Sequence, residues 1–259
     1  MDSKDLLFLE SVALQSGLLL LKRQVNVRRA EESHRAFSTE ADFESDALIR
    51  RELSGRFPDA AFLTEEGGGE RVTIGKLFIV DALDGTINYA YRDELWGVSI
   101  ALLVDDAPEL GVLYLPQRGM LYSASRHNGG QAIHVFTGRV VQMRASSRQR
   151  LKDCHIWTSW QKGPAEPILS ILKKLFEHTF LPNIRCCAIE YLVRVAEGRT
   201  DGCVLYGSQP EDIAAAALIA EETGVRVTEI DGSPWSPYSQ TIVASNGHIH
   251  QELLDLLNS

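Results

Sequence analysis

Residues 77–86 of the 259-residue chain read LFIVDALDGT, an apolar run followed by two aspartates, three positions apart, and a glycine. The apolar run predicts a buried strand, and the glycine predicts a turn after it. Asp81 and Asp84 therefore lie where a strand gives way to a turn, which is a usual place for functional groups on an α/β scaffold. Two carboxylates this close repel each other unless a cation lies between them. The stretch thus indicates a cation site.

The end of the same stretch suits an anion. Gly85 has no side chain, so backbone N–H groups can approach an anion closely, and a helix that begins at Gly85 or Thr86 favours phosphate at its amide end. Mg²⁺ prefers oxygen ligands and often shares them with a substrate phosphate. Taken alone, the stretch is also typical of a capped turn, because Asp-Gly-Thr is common turn chemistry.

Acidic residues at the ends of other predicted elements add to this pattern. Glu65 and Glu66 follow a short apolar run, AFL at 61–63, and Asp212 opens the alanine-rich run EDIAAAALIAEETG. Each residue has a simple structural explanation on its own, since Asp212 is a suitable helix cap and Glu66 a suitable solvated loop charge. The three glycines at 67–69 predict a flexible flap above the metal-binding residues.

The hydrophobic pattern predicts an α/β fold in two halves, residues 1–145 and 146–259. In the first half we predict helices at 4–22 and 41–57, strands at 61–63 and 71–80, and an antiparallel meander at 96–104, 109–116 and 119–125. In the second half we predict strands at 153–160, 201–206, 225–230 and 241–245 and helices at 166–179, 188–198, 211–224 and 248–257. The sequence shows no internal repeats, and no flexible linker separates the halves. We therefore expect the halves to pack as one unit.

Composition restricts the function further. The net charge of −9 argues against binding to nucleic acid or to an anionic membrane. The four cysteines form no CxxC pair, which favours a reducing, cytoplasmic location. The first ten residues lack the basic region of a signal peptide, and the apolar run at 17–21 is too short to span a bilayer.

Several motifs, in order along the chain, resemble those of the inositol monophosphatase family of Mg²⁺-dependent, lithium-sensitive phosphatases. The resemblance runs from about residue 36 to residue 245 and rests on STEAD (38–42), LTEE (63–66), DALDGT (81–86), GVLYLPQRGMLYSASRHNGGQAI (111–133) and EDIAAAALIAEETG (211–224). It implies a layered α-β-α-β-α sandwich, a homodimer and two or three Mg²⁺ ions. The implied reaction is hydrolysis of a small sugar or polyol phosphate monoester by metal-activated water.

The resemblance also assigns roles to individual residues. It implies that Glu65 activates a water and that the Thr86 hydroxyl, linked to Asp42, orients that water. The implied metal ligands are Glu65, Asp81, the Leu83 carbonyl, Asp84, Asp212 and, at a third and weaker position, Asp42. The implied substrate contacts are Asp84, the backbone amides of Gly85 and Thr86, Cys187 and Asp212.

The sequence departs from the family pattern at four places. Ala82 replaces a usual proline, Glu211 a usual tryptophan, and Leu205 a glutamate that recognises inositol hydroxyls in some members. Cys186-Cys187 replaces the pair, glycine and a hydroxyl residue, that contacts substrate. Because these last changes affect substrate recognition, we expect the metal chemistry to be kept and the preferred alcohol to differ from inositol.

Four further residues have weaker assignments. We expect Arg185 and Glu190 at the rim of the substrate site, where they could bind sugar hydroxyls or a second phosphate. We expect His250, like His248, on the surface, since no acidic partner is evident nearby.

Other functions fit the sequence less well or stay open. A haloacid-dehalogenase type phosphatase has aspartates spaced D-x-D on one strand face, whereas the spacing here is D-x-x-D. A dinucleotide-dependent dehydrogenase lacks support because no G-x-G-x-x-G follows a strand. A 3′-phosphoadenosine-type nucleotide phosphatase and a catalytically weak binding or regulatory member of the family remain alternatives.

Overall fold

The computed structural model describes residues 3–25, 38–160, 163–184 and 187–259. A seven-stranded sheet uses its strands in sequence order, with β1 and β2 parallel and all later neighbours antiparallel. The strands are β1 (Ala61–Thr64), β2 (Lys76–Asp84), β3 (Gly97–Val104), β4 (Ala107–Leu115), β5 (Met120–Ser125), β6 (Gly130–His134) and β7 (Arg139–Val141). The predicted antiparallel meander is confirmed.

The bounds of β2 differ from the prediction at both ends. The strand begins at Lys76 rather than at residue 71, because Gly75 adopts a φ of 90°, which interrupts an extended backbone. It continues through Asp84, so the two aspartates lie within the strand and not in a turn after it. Strands β6 and β7 were not predicted, since they are short and neither shows an alternation of apolar and polar residues.

A five-stranded sheet has the order β11-β12-β10-β8-β9, and β8 is parallel to both β9 and β10. Its strands are β8 (His155–Trp160), β9 (Leu181–Ile184), β10 (Gly202–Tyr206), β11 (Arg226–Thr228) and β12 (Thr241–Ser245). Strand β9 was not predicted, because four residues that include a proline carry little strand signal. The division of the chain at residue 145 stays a prediction.

Seven α-helices occur in the described residues and cover both sheets. They are α1 (Ser3–Gln24), α2 (Glu40–Arg56), α3 (Thr86–Ala90), α4 (Ala165–His178), α5 (Ala188–Ala196), α6 (Pro210–Glu222) and α7 (His250–Asn258). Helices α1 and α2 pack on one face of the large sheet, α5 and α6 lie between the sheets, and α4 and α7 cover the small sheet. The predicted α-β-α-β-α sandwich is confirmed. No described helix has the length and apolarity needed to span a membrane.

Helix α6 is central to this arrangement, and its residues are buried without a break from Asp212 to Ala220. Four consecutive alanines, 214–217, give it a thin profile, so that a sheet can approach closely on each side. The approach is closest at Gly111 of β4, where an added Cβ would lie 2.9 Å from the Ala215 carbonyl oxygen. Packing therefore sets the position of the α6 N-terminus, which carries Asp212.

The expectation for His250 was wrong, whereas His248 is exposed as expected. His250 is fully buried, because α7 begins at this residue and packs against β12. Its two ring nitrogens lie 2.9 Å from the hydroxyls of Thr228 and Ser245. Burial, with a smaller contribution from the charge of Arg226, lowers the pKa of His250 to about 4.

Candidate metal centre

Three buried aspartates converge at the edge of the large sheet. Asp81 and Asp84 come from β2 and Asp212 from the first turn of α6, and one oxygen of each lies within 4.8 Å of the others. Their residues are only 2%, 6% and 5% exposed. In the part of the chain that the structure describes, no other group of three acidic, histidine or cysteine side chains meets this criterion.

An irregularity in β2 brings its two aspartates together. Residues three apart in a regular strand point to opposite faces of the sheet. The pairing of β2 with β3 shifts register between Asp81 and Asp84, and such an irregularity redirects the side chains that follow it. The D-x-x-D spacing therefore yields a converging pair only because the strand is irregular there.

Each carboxylate accepts a hydrogen bond from a backbone amide. Asp81 accepts from Leu83 N at 2.9 Å, and Asp84 accepts from Ile189 N, in the first turn of α5, at 3.1 Å. Asp212 accepts from Gln209 N at 2.6 Å as part of a capping box. Asp212 is therefore a helix cap as well as a member of the cluster.

The electrostatics of the cluster favour a cation. Burial raises the pKa of Asp81, Asp84 and Asp212. Repulsion adds to the rise at Asp81, where Glu65 acts most strongly, and at Asp212, where Asp84 does, whereas hydrogen bonds offset part of the rise at Asp84. None of these three aspartates forms an ion pair with a described lysine, arginine or histidine. Three buried anions without a positive partner are unstable unless protons or a metal ion neutralise them.

Glu65 and Glu66 lie in the loop after β1, outside the three-aspartate group. Glu65 is solvent-exposed, yet desolvation by the surrounding protein and repulsion by Glu66, Glu211 and Asp84 raise its pKa to about 7. Desolvation raises the pKa of Glu66 to about 7 as well, against a hydrogen bond from Ser38 that lowers it. The effect of Glu65 on the pKa of Asp81 places it within electrostatic reach of the cluster.

Thr86 and Asp42 are brought together as the resemblance implies. Thr86 Oγ1 lies 3.0 Å from Asp42 Oδ1 and 3.0 Å from the Leu83 carbonyl oxygen, and its single proton serves one of them at a time. The other oxygen of Asp42 accepts from Thr39 N and Thr39 Oγ1 at 2.7 and 2.5 Å and so caps α2. Asp42 itself is not part of the three-aspartate group.

Gly85 connects β2 to the short helix α3 and must be glycine. Its φ of 84° is in the left-handed region, and an added Cβ would lie 2.6 Å from the Leu95 carbonyl oxygen. The turn after Asp84 is thus as tight as the sequence suggests, although it begins only after the second aspartate.

The substrate side of the site contains one correction. Cys187 is buried at the start of α5, where its thiol interacts with Asp84, while Cys186 and Arg185 lie outside the described residues. Glu190 is not at an exposed rim, since its side chain is 1% exposed and is paired with Arg118 and Arg194. Sequence reasoning missed the Ile189 amide, because a backbone donor leaves no signal in residue types.

The residues present suit a hard divalent cation. The cluster offers carboxylate oxygens, which are the ligands that Mg²⁺ prefers. Leu83, whose carbonyl could add a further oxygen, lies between Asp81 and Asp84 in β2. No histidine belongs to the group, which disfavours a typical zinc site. Among the described residues, no cationic side chain forms an ion pair with the three aspartates, and this observation supports the fit.

Comparison with known proteins identifies the family. Residues 5–259 match the inositol monophosphatase family. An inositol-1-monophosphatase of Synechocystis sp. is 33% identical over 94% of this chain and 85% of its own length. A putative Nus factor SuhB of Neisseria meningitidis serogroup B is 28% identical over 95% of both chains.

A solved structure gives the same result at the level of the fold. The extragenic suppressor protein suhB of Bartonella henselae superimposes with a TM-score of 0.88 at 30% identity, covering 99% of both chains. The motifs, the layered fold and the match over almost the full length agree. The chain therefore belongs to the inositol monophosphatase family of phosphoric monoester hydrolases.

Proposed function

We propose that this protein hydrolyses a small phosphate monoester with the help of two or three Mg²⁺ ions. Asp81, Asp84 and Asp212 would hold the metal, with Glu65, the Leu83 carbonyl and Asp42 completing the ligand set. The observation that carries this proposal is the cluster of three buried aspartates, which no lysine, arginine or histidine in the described part of the chain pairs with.

Each residue then has a defined task. Bound Mg²⁺ supplies positive charge that stabilises the reacting phosphate and lowers the pKa of water. Glu65, whose pKa in the metal-free chain is about 7, accepts the proton of the attacking water. The Thr86 hydroxyl, held beside Asp42, orients that water, and the backbone amides of Gly85 and Thr86 contact the phosphate oxygens. Phosphoryl transfer needs little beyond this positioning and charge stabilisation.

The alcohol part of the substrate is proposed to be a sugar or polyol other than inositol. Leu205 is fully buried and carries no group that could bind a hydroxyl, and Cys187 offers a thiol, which is a weak donor. A nucleotide 3′-phosphate of the phosphoadenosine type is the alternative substrate. The resemblance further implies a homodimer, which light scattering of the purified protein would test. Cysteine usage favours a cytoplasmic location.

The test is phosphate release from a panel that contains inositol 1-phosphate, sugar phosphates, polyol phosphates and nucleotide phosphates. Each compound is measured with Mg²⁺, with a chelator, and with Mg²⁺ plus Li⁺. We expect release that requires Mg²⁺, is inhibited by Li⁺ and is fastest with a compound other than inositol 1-phosphate. Release that persists in the chelator would contradict the metal chemistry, and a clear preference for inositol 1-phosphate would contradict the substrate class.

A regulatory role is the second candidate. A relative with 28% identity carries the name of a putative Nus factor. The net charge of −9 disfavours direct contact with nucleic acid, so the partner would be a protein. Silence across the substrate panel, together with tight Mg²⁺ binding, would favour this role over hydrolysis.

A further inference from the structure

Helix α5 carries a row of charged side chains although it lies between the two sheets. Glu190, Arg194 and Glu197 follow each other at helical spacings of four and three, the last of them at the C-terminal cap. The side chains of Glu190 and Glu197 are only 1% and 5% exposed. Burying two carboxylates is costly unless each is paired and hydrogen-bonded.

Arg118 provides a bridge between these carboxylates. It lies in the turn between β4 and β5, and its side chain is 12% exposed. Nη1 donates to Glu190 Oε1 at 2.9 Å and Nη2 to Glu197 Oε2 at 3.1 Å. Arg194 also donates to Glu190 at 2.7 Å, and the Tyr122 hydroxyl to Glu197 at 2.8 Å. One planar guanidinium thus ties α5 to the large sheet at two points.

The two points lie seven residues apart, which is about two turns of an α-helix. Because Arg118 contacts α5 at both points, it fixes the rotation of the helix about its axis and its position along that axis. Apolar packing does this less well, because the hydrophobic effect is non-directional and α5 is buried on nearly every side. The ionic bridge, together with the Tyr122 hydrogen bond to Glu197, is therefore a directional contact that sets how α5 meets the sheet.

That setting matters for the three-aspartate cluster. The Ile189 amide, in the first turn of α5 and next to Glu190, donates to Asp84 at 3.1 Å. A rotation of α5 by one residue, about 100°, would turn this amide away from the carboxylate. Outer-sphere donors of this kind fix the orientation of a metal-ligating side chain.

We propose that Arg118 is a positioning residue of the candidate metal centre, which acts by holding α5 so that the Ile189 amide orients Asp84. Its effect on metal affinity rests on the proposed function, whereas its effect on α5 does not. Arg199 offers a matched control, because it pairs with the same Glu197 at 3.0 Å but its side chain is 52% exposed.

The experiment compares wild type, Arg118→Met, Arg118→Lys and Arg199→Met by amide hydrogen exchange without metal and by Mn²⁺ titration calorimetry. We expect Arg118→Met to speed exchange of the Ile189 amide by about tenfold or more relative to amides of α7. We expect it to weaken Mn²⁺ binding by about tenfold, as loss of an outer-sphere partner does. Arg118→Lys keeps the positive charge but cannot contact both glutamates, so it should also speed Ile189 exchange and weaken Mn²⁺ binding. This variant serves as the test if Arg118→Met folds poorly. Arg199→Met should stay within about twofold of wild type, because an exposed ion pair contributes little.

Wild-type exchange at Ile189 in both Arg118 variants would overturn the inference, as would a uniform increase across all helices, which indicates general destabilisation. If wild type failed to bind Mn²⁺, the proposed function would fail, and the exchange data would still decide the role of Arg118. Equal effects of the Arg118 and Arg199 variants would also overturn it.

Discussion

Asp84 accepts a hydrogen bond from the Ile189 amide and lies close to two other carboxylates. We therefore expect the negative charge of its side chain, rather than the shape, to matter for metal binding. Replacing Asp84 with Asn keeps the shape and removes one anionic ligand. We expect turnover to fall by more than the roughly 10–100-fold that follows loss of an outer-sphere partner. Phosphate release at saturating Mg²⁺ measures this, and circular dichroism checks that the fold is kept.

Asp59→Asn is a suitable control, since Asp59 is an exposed aspartate in the turn after α2. We expect this variant to match wild type. Near-wild-type turnover of Asp84→Asn would mean that the three-aspartate cluster does not bind the catalytic metal.

His250 makes stability depend on pH in the acidic range. Its pKa is about 4 in the folded protein and about 6.5 in an unfolded chain, so the unfolded state binds more protons between these values. The free energy of unfolding should therefore fall as pH drops through this range. We expect a loss of about 2 kcal/mol from this residue between pH 7.5 and pH 5.

Urea unfolding at the two pH values, for wild type and His250→Gln, isolates this contribution. The glutamine variant should be less stable at pH 7.5, because it loses a buried hydrogen-bond network. On acidification, its free energy of unfolding should fall less than that of wild type. Parallel pH profiles for the two proteins would show that His250 titrates normally.

Single residues were predictable where their role depends on local sequence. The turn at Gly85 and the acidic positions at Asp81, Asp84 and Asp212 follow from short motifs and a family resemblance. Glu190 and His250 were misplaced, because their burial depends on which side of a helix packs against a distant strand. A periodic pattern cannot show this for a helix that is covered on most sides.

Helix α6 can deliver Asp212 only if it packs closely on β4. Gly111→Ala would place a methyl group 2.9 Å from the Ala215 carbonyl oxygen, so α6 must shift. We expect a loss of about 1–3 kcal/mol in the free energy of unfolding, as overpacking usually causes. We also expect weaker Mg²⁺ activation, because the shift moves Asp212.

Gly55→Ala is the matched control for this substitution. Gly55 lies near the end of α2, and an added Cβ there would meet nothing within 4 Å. The free energy of unfolding of this variant should rise by about 0.4–1 kcal/mol, because alanine restricts the conformations of the unfolded chain. Denaturant unfolding of both variants checks the pair, and a stable, fully active Gly111→Ala protein would contradict the close packing of α6.

Long helices and apolar strands were predictable from periodicity, whereas short strands were not. Strands β6, β7 and β9 have three to five residues each and gain their order from neighbours in the sheet. The continuation of β2 through Asp84 was also missed, since its irregular pairing depends on β3. These features arise from tertiary contacts that local propensity does not encode.

The three-aspartate cluster joins the two sheets, so a metal ion bound there should stabilise the entire protein. Asp81 and Asp84 belong to the large sheet, and Asp212 begins the helix that follows β10 of the small sheet. Mg²⁺ at 100 times its Kd would add about 2.7 kcal/mol to the free energy of unfolding. We expect a rise of about 5–10 °C in Tm, which a chelator reverses.

Calorimetry with and without Mg²⁺ measures this effect, and Asp84→Asn should show little of it. An equal rise in Tm for the variant would place the stabilising metal elsewhere. The order of the helix and sheet layers was predicted from the family resemblance. Hydrophobic periodicity predicts the helices and strands but not which of their faces pack together.

Asp81 and Asp212 are separated by about half of the length of the chain, and this has a consequence for synthesis on the ribosome. When the strands of the large sheet have emerged, the helix that carries Asp212 has not yet been translated. When β2 folds, Asp81 and Asp84 therefore lie close together before Asp212 is present. Protonation of one of the two carboxylates would then reduce their repulsion. The nascent protein completes its three-aspartate cluster only after its last central helix leaves the exit tunnel.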